Sequence, residues 1–137
     1  MFAYDVTRTI AARPEQVWAI LTDPAALAHG MGILRIEGRI APGARIKVWS
    51  EVSPERAFPV RVATLDAPRR MVWQGGMPLG LFRGVRTFTL DATREGTAFH
   101  MREEFSGPFA PLIRRSMPDL TPSFAAFADG LKRKAEA

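Results

Sequence analysis

Between Phe109 and Leu131 the chain holds one apolar phase across two prolines, and this constrains the fold more than any other feature. Phe109, Ile113, Met117, Leu120, Phe124, Phe127 and Leu131 follow in steps of four, four, three, four, three and four, with Leu112 alongside. Those steps trace one face of a helix. Pro118 and Pro122 lie inside the stretch, and each removes a backbone donor and clashes with the preceding turn. A loop has no reason to keep the phase. The reading is therefore one long kinked helix, or two helices nearly in line, with a single buried face. That face needs a partner layer, and the upstream sequence reads as short strands.

Phe2, Tyr4, Val6 and Ile10 alternate with smaller and polar residues, giving a first strand with Arg8 on its apolar face. Pro14 and Glu15 open a helix whose buried stripe is Val17, Trp18 and Leu21. Asp23-Pro24 starts a second short helix through Leu27, stopped near His29-Gly30. Alternation then predicts a strand through Leu34, Ile36 and Ile40, and another through Ile46, Val48 and Val52 up to a turn at Ser53-Pro54. A strand through Phe58, Val60 and Val62 contains Pro59, which marks an edge, a bulge or a non-bonded position. Met71-Val72-Trp73 is the next strand. Two more, about Arg83–Ala92 and Thr97–Ser106, flank a loop at Thr93–Gly96. Between Gly76 and Arg83, the apolar connection Met77–Phe82 either gates a cavity mouth or finishes the core. The order is strand, two helices, six strands, long helix. It predicts a single α+β domain, 1–137, of two layers.

The last hairpin carries the best-defined constellation. A four-residue loop at Thr93–Gly96 pairs Ala92 with Thr97 and sets Leu90 opposite Phe99, Phe88 opposite Met101 and Arg86 opposite Glu103. All share one face, so the alternation that aims Phe88 and Met101 at the long helix also sends an arginine and a carboxylate inward. Buried charges must pair. The pair sits either in a cavity wall, available to a ligand, or half-solvated at a rim. Tyr4 is the only tyrosine and faces inward, as a satisfied core residue or as an acid. Glu104 faces away from Glu103, so the two form no catalytic dyad. His29 and His100 have no acidic cluster to make a metal site.

Composition excludes several classes. There are no cysteines, hence no disulfides, thiol catalysis or thiolate metal sites. No apolar run approaches the roughly 18 residues of a membrane span, so no stable membrane insertion is expected. The opening residues, with Asp5 and Arg8, do not read as a secretory signal, and cytoplasmic residence is the default expectation. The net charge of +5 is mostly arginine spread over different strands and turns, which argues for solvation and against a nucleic-acid footprint.

The order of elements meets a set of motifs: Ala11-Ala12-Arg13-Pro14-Glu15-Gln16-Val17-Trp18, Leu21-Thr22-Asp23-Pro24, Ile36-Glu37-Gly38, Pro42-Gly43-Ala44-Arg45-Ile46, Val72-Trp73-Gln74-Gly75-Gly76, Arg86-Thr87-Phe88, Gly96-Thr97, Glu104-Phe105-Ser106-Gly107-Pro108 and Gly130-Leu131-Lys132. In that order they resemble the START-like helix-grip (SRPBCC) superfamily, in its polyketide cyclase/dehydrase-like branch, over essentially the whole chain. One departure is Leu27-Ala28-His29-Gly30-Met31-Gly32, where many relatives carry an aromatic residue.

The resemblance implies a curved seven-stranded antiparallel sheet gripping the C-terminal helix around an apolar cavity. It implies a small hydrophobic or amphipathic ligand, such as a lipid, polyketide or aromatic, with no cofactor, and it admits a homodimer. The expected lining is Trp73, Arg86, Phe88, Met101, Glu103, Met117, Leu120, Phe124 and Phe127. The alternatives are a cyclase/dehydratase or aromatase-like enzyme using Glu103, Arg86 or Tyr4, and a co-chaperone-like interaction module, which would expose an apolar patch.

Overall fold

Alternation and turn chemistry build most of the molecule directly. The computed structural model describes residues 1–137, and the elements run β1 (Phe2–Ile10), α1 (Pro14–Leu21), α2 (Pro24–Leu27), β2 (Ile33–Glu37), β3 (Arg45–Ser50), β4 (Ser53–Asp66), β5 (Arg70–Gly76), β6 (Arg83–Thr93), β7 (Gly96–Ser106), α3 (Ala110–Ser116) and α4 (Thr121–Glu136). The strands form one curled antiparallel sheet in the order β1-β7-β6-β5-β4-β3-β2. This is the α+β helix-grip architecture, with α4 lying mainly along β1. Pro14 and Pro24 open their helices where no backbone donor is needed. Gln16 Oε1 accepts from the Arg13 N–H, and Asp23 Oδ1 accepts from the Ala25 N–H.

Several local expectations are corrected. Ser53-Pro54 is not a turn but the start of β4, at 14 residues the longest strand; the chain reverses at Glu51-Val52, which leaves Val52 exposed. Pro59 sits inside β4 opposite Lys47, next to a register shift between Val48 and Ser50. In β2 a second shift between Ile33 and Arg35 turns Ile33 inward and Leu34 out to solvent. The β6–β7 turn is tighter than expected, because Thr93 already pairs with Gly96 and only Arg94 and Glu95 lie between them. The inferred register survives, since removing one residue from each side of a hairpin loop shifts nothing. The C-terminal stretch is two helices. Met117 takes ψ of 140° and ends α3, and Phe109 and Leu112 stay exposed.

The core is one cluster bounded by the concave face of the sheet, α1, α2 and α4. Phe127 lies 5.9 Å from Phe88 and 6.3 Å from Phe99, ring centre to ring centre. Thr97, the one buried polar residue, donates from its hydroxyl to the Ala12 carbonyl at 2.7 Å. No helix is long and apolar enough to cross a membrane.

A polar seam ties α4 to β1. Arg8 Nε donates to Asp129 Oδ1 at 2.8 Å. Glu136 Oε2 accepts from the Ala11 N–H at 2.8 Å and from Lys132 Nζ at 2.7 Å, and Lys132 also donates to the Thr9 carbonyl. The bond from Arg8 lowers the Asp129 pKa below its ordinary 3.8, and the bond from the Ala11 N–H lowers that of Glu136 below 4.5. A carboxylate whose pKa is depressed on folding contributes stability above its unfolded pKa and loses it as pH falls through the folded value. The thermal midpoint should therefore fall as pH drops below the ordinary carboxylate range. Asp129→Asn with Glu136→Gln should flatten that acid limb; an unchanged acid limb in the double variant would remove the seam from the account.

Candidate functional site

Strand register assembles the site. Directly opposed residues share a sheet face, and four successive pairings, Tyr4–Glu103, Glu103–Arg86, Arg86–Trp73 and Trp73–Val62, draw one row across the concave surface. A phenol, a carboxylate, a guanidinium and an indole thus lie side by side. The row on one side is apolar: Val6, Met101, Phe88, Met71 and Leu65. On the other run Phe2, Phe105, Gly84, Gly75 and Val60. A polar row between apolar rows, under a helix, is the arrangement of a site that orients one end of a mostly apolar molecule.

Arg86 and Glu103 form the ion pair the hairpin register implied. Arg86 donates from Nε at 2.9 Å and from Nη2 at 2.7 Å, both to Glu103 Oε1. Oε2 accepts no protein hydrogen bond. It lies against Gly84, where a Cβ would come within 2.9 Å of it, so the glycine makes room for the carboxylate. The Arg86 and Glu103 side chains are 22% and 16% exposed. They are neither sealed in the core nor turned to bulk solvent, and water reaches the concave face at this row. Phe124 of α4 roofs it, with its ring centre 4.9 Å from Arg86 Cζ and 5.9 Å from the Tyr4 ring. That contact holds the guanidinium by cation–π attraction as well as by charge.

Trp73 is buried, and its ring meets Phe88 edge-on at 5.0 Å. Its indole Nε1–H is buried without any acceptor. An unpaired buried donor costs about 1–3 kcal/mol, and it stands next to Arg86 in the row.

The remaining expected lining residues divide. Phe88, Met101, Phe124 and Phe127 are buried and join sheet to helix, closing the floor where α4 packs directly on the strands. The expectation is a cavity between the sheet and the C-terminal helix; at these residues the helix is in contact with the sheet, with the Phe88 and Phe127 ring centres 5.9 Å apart. Leu120 is buried, and Met117 is half-buried at the break between α3 and α4. These two mark the end of the helical layer nearest solvent. Among the surface depressions are one around Thr7, Thr9, Ala98 and His100 and one around the β6–β7 turn. Neither touches the polar row. Sequence reasoning left Tyr4 out of the lining and did not single out Gly84. Their signal is the β1–β7 and β6–β7 register, and only the second could be read from a turn.

A family model described as polyketide cyclase/dehydrase and lipid transport matches residues 1–136. Among solved structures, protein MLL2253 from Mesorhizobium loti is 21% identical, with a TM-score of 0.77 over 97% of this chain and 96% of that one. The Aha1 dimer from Colwellia psychrerythraea is 20% identical, TM-score 0.76, over 99% and 97%. DynU16, from the dynemicin biosynthetic locus, is 18% identical, TM-score 0.68, over 96% of this chain and 46% of that one. At such identities the likeness speaks to the fold. A search of curated proteins returned no match.

Proposed function

We propose that this chain, which belongs to the polyketide cyclase/dehydrase and lipid transport family, binds a small, largely apolar molecule by its one polar end. The polar end lies over the Glu103–Arg86–Trp73 row and the apolar body runs toward Met117, Leu120 and Phe124. The observation that carries this reading is unused hydrogen-bonding capacity in one row of the sheet: the buried Trp73 N–H has no acceptor and Glu103 Oε2 no donor. Groups left unpaired in a half-dry site favour a ligand that completes them. An oxygen acceptor on the ligand suits the indole and the guanidinium, and a hydroxyl beside it suits Oε2.

The test is native mass spectrometry of freshly purified protein, extraction of what is bound, and a thermal-shift panel of lipids and polyphenols. Recovery of a ligand and a thermal shift are expected. Trp73→Phe is the diagnostic variant, since it deletes the N–H and keeps an apolar ring. The lost ring volume opposes the relief of the unpaired donor, so stability should change little, while ligand binding weakens by about tenfold, the equivalent of one hydrogen bond. No ligand, no thermal shift, or full affinity in Trp73→Phe would count against the reading.

A second reading has one observation in its favour. Register pairs Tyr4 with Glu103 across β1 and β7, a phenol-bearing residue opposite a carboxylate-bearing one, the residue types a cyclase or dehydratase needs for proton transfer. Turnover of a polyketide-like substrate that disappears in Tyr4→Phe would favour it.

A further inference from the structure

The β5–β6 connection and α3 form a rim with large apolar side chains that nothing covers. Leu79 is 95% exposed and Leu112 65%, and Met77 and Phe109 are also exposed. Leu79 holds φ of 62°, a left-handed conformation uncommon for any side chain but glycine's. The two segments belong to one surface: the Phe109 N–H donates to the Leu81 carbonyl at 2.9 Å. Gly107 passes so close that a Cβ there would lie 2.6 Å from the same oxygen. Beneath them Phe82 stacks on Phe105 and Phe105 on Phe2, at 5.5 and 5.0 Å, and the Arg114 guanidinium lies 5.0 Å over Phe2. A packed aromatic base thus holds the apolar tips outward.

The charge of the rim is one-sided. Residues 77–83 and 107–117 contain Arg83, Arg114 and Arg115 and no aspartate or glutamate. None of the three arginines takes part in an ion pair. The nearby carboxylates are engaged elsewhere: Glu103 with Arg86, Glu104 with Arg102, and Asp119 with the Thr121 N–H. Exposed leucines flanked by unpaired cations are the composition of a surface that enters a lipid interface.

We propose that this rim docks reversibly onto an anionic lipid bilayer, with Leu79 and Leu112 entering the interface and the arginines meeting the phosphate headgroups. A second copy of the chain is the poorer occupant, because a two-fold contact through the rim would set these arginines against their own counterparts. Leu79 stands clear of its own protein, so a fluid surface covers it without needing a matching hollow. Docking does not depend on what occupies the polar row, and it is read without ligand.

Co-sedimentation with phosphatidylcholine vesicles, with and without phosphatidylglycerol, tests this. Binding is expected to the anionic vesicles only and to weaken with added salt. Leu79→Glu with Leu112→Glu should reduce it by about tenfold or more, and circular dichroism should show the native fold, since both side chains are exposed. Arg45→Glu with Arg61→Glu, on the opposite sheet face, should bind as the unaltered chain does. Three results would overturn the proposal: no binding to anionic vesicles, which would leave the rim to a protein partner; full binding by the leucine double variant; or loss only in the Arg45, Arg61 variant. Concentration-dependent self-association abolished by the leucine substitutions would also overturn it, in favour of a second copy.

Discussion

Phe88→Ala is expected to lower the free energy of unfolding by about 3–5 kcal/mol, the range for removing a buried aromatic ring. Phe88 is fully buried. It stands between Met101 and Met71 in the sheet and touches Trp73 and Phe127 across the core. Little around it can move in to fill the space, because Met71, Met101 and Phe127 are held by two strands and a helix. The size of the effect also decides a structural question. If the Phe88–Met101 rung is the closed floor beneath the polar row, the full cost appears as a shift in denaturant midpoint with an unchanged slope. If the rung lined a solvent-filled or ligand-filled chamber, the loss would fall below about 1 kcal/mol, because a void already beside the ring leaves fewer contacts to lose. Such a small loss would reinstate the open cavity and extend the ligand site along α4.

What could be read from the sequence follows from which interactions are local. The β6–β7 register came from one turn, and a turn fixes every rung above it; hence Arg86–Glu103 was legible, down to its partners. Tyr4 was not, because its place opposite Glu103 depends on pairing between the first and last strands, and no turn joins them. The apolar phase of the C-terminal stretch located Phe124, Phe127 and Leu131 on the buried face. It misled at Phe109 and Leu112, because the break at Met117–Leu120 frees α3 to point its leucine outward. Two bulges did the same on the far strands. The shift in β2 inserts one residue and that between Val48 and Ser50 inserts three in β4; an odd insertion reverses the faces beyond it, and alternation alone cannot show where. Alternation faces Leu34 inward for this reason, although Ile33 is the buried neighbour. The distance of α4 from the sheet was not legible for a different reason. Sequence periodicity reports which face a helix buries, not how far it stands from the sheet.

Gly130→Ala is expected to destabilise the protein by about 1–3 kcal/mol, although helix propensity alone argues the reverse. In a helix interior alanine is better than glycine by about 1 kcal/mol, and Gly130 lies inside α4. The space decides against it. A Cβ at this position would sit 2.3 Å from the Gly30 carbonyl oxygen and 2.7 Å from Met31 Cγ. The first is a backbone atom in a turn held at φ +69°, whose oxygen also accepts from Arg133 Nη2. The second belongs to a side chain that is itself buried. Neither the loop after α2 nor the helix has room to withdraw, since Ala128 and Leu131 on the same turn are fully buried. Overpacking of this kind outweighs the propensity gain, so the net sign is a loss. The consequence reaches the site, because the same contact holds α4 at the depth that brings Phe124 over Arg86. Gly130→Ala should therefore lower the urea midpoint and, in the proteins that remain folded, weaken whatever binds at the polar row. A variant more stable than the parent would mean that the Gly30 turn yields, and that the depth of α4 is set elsewhere along its length.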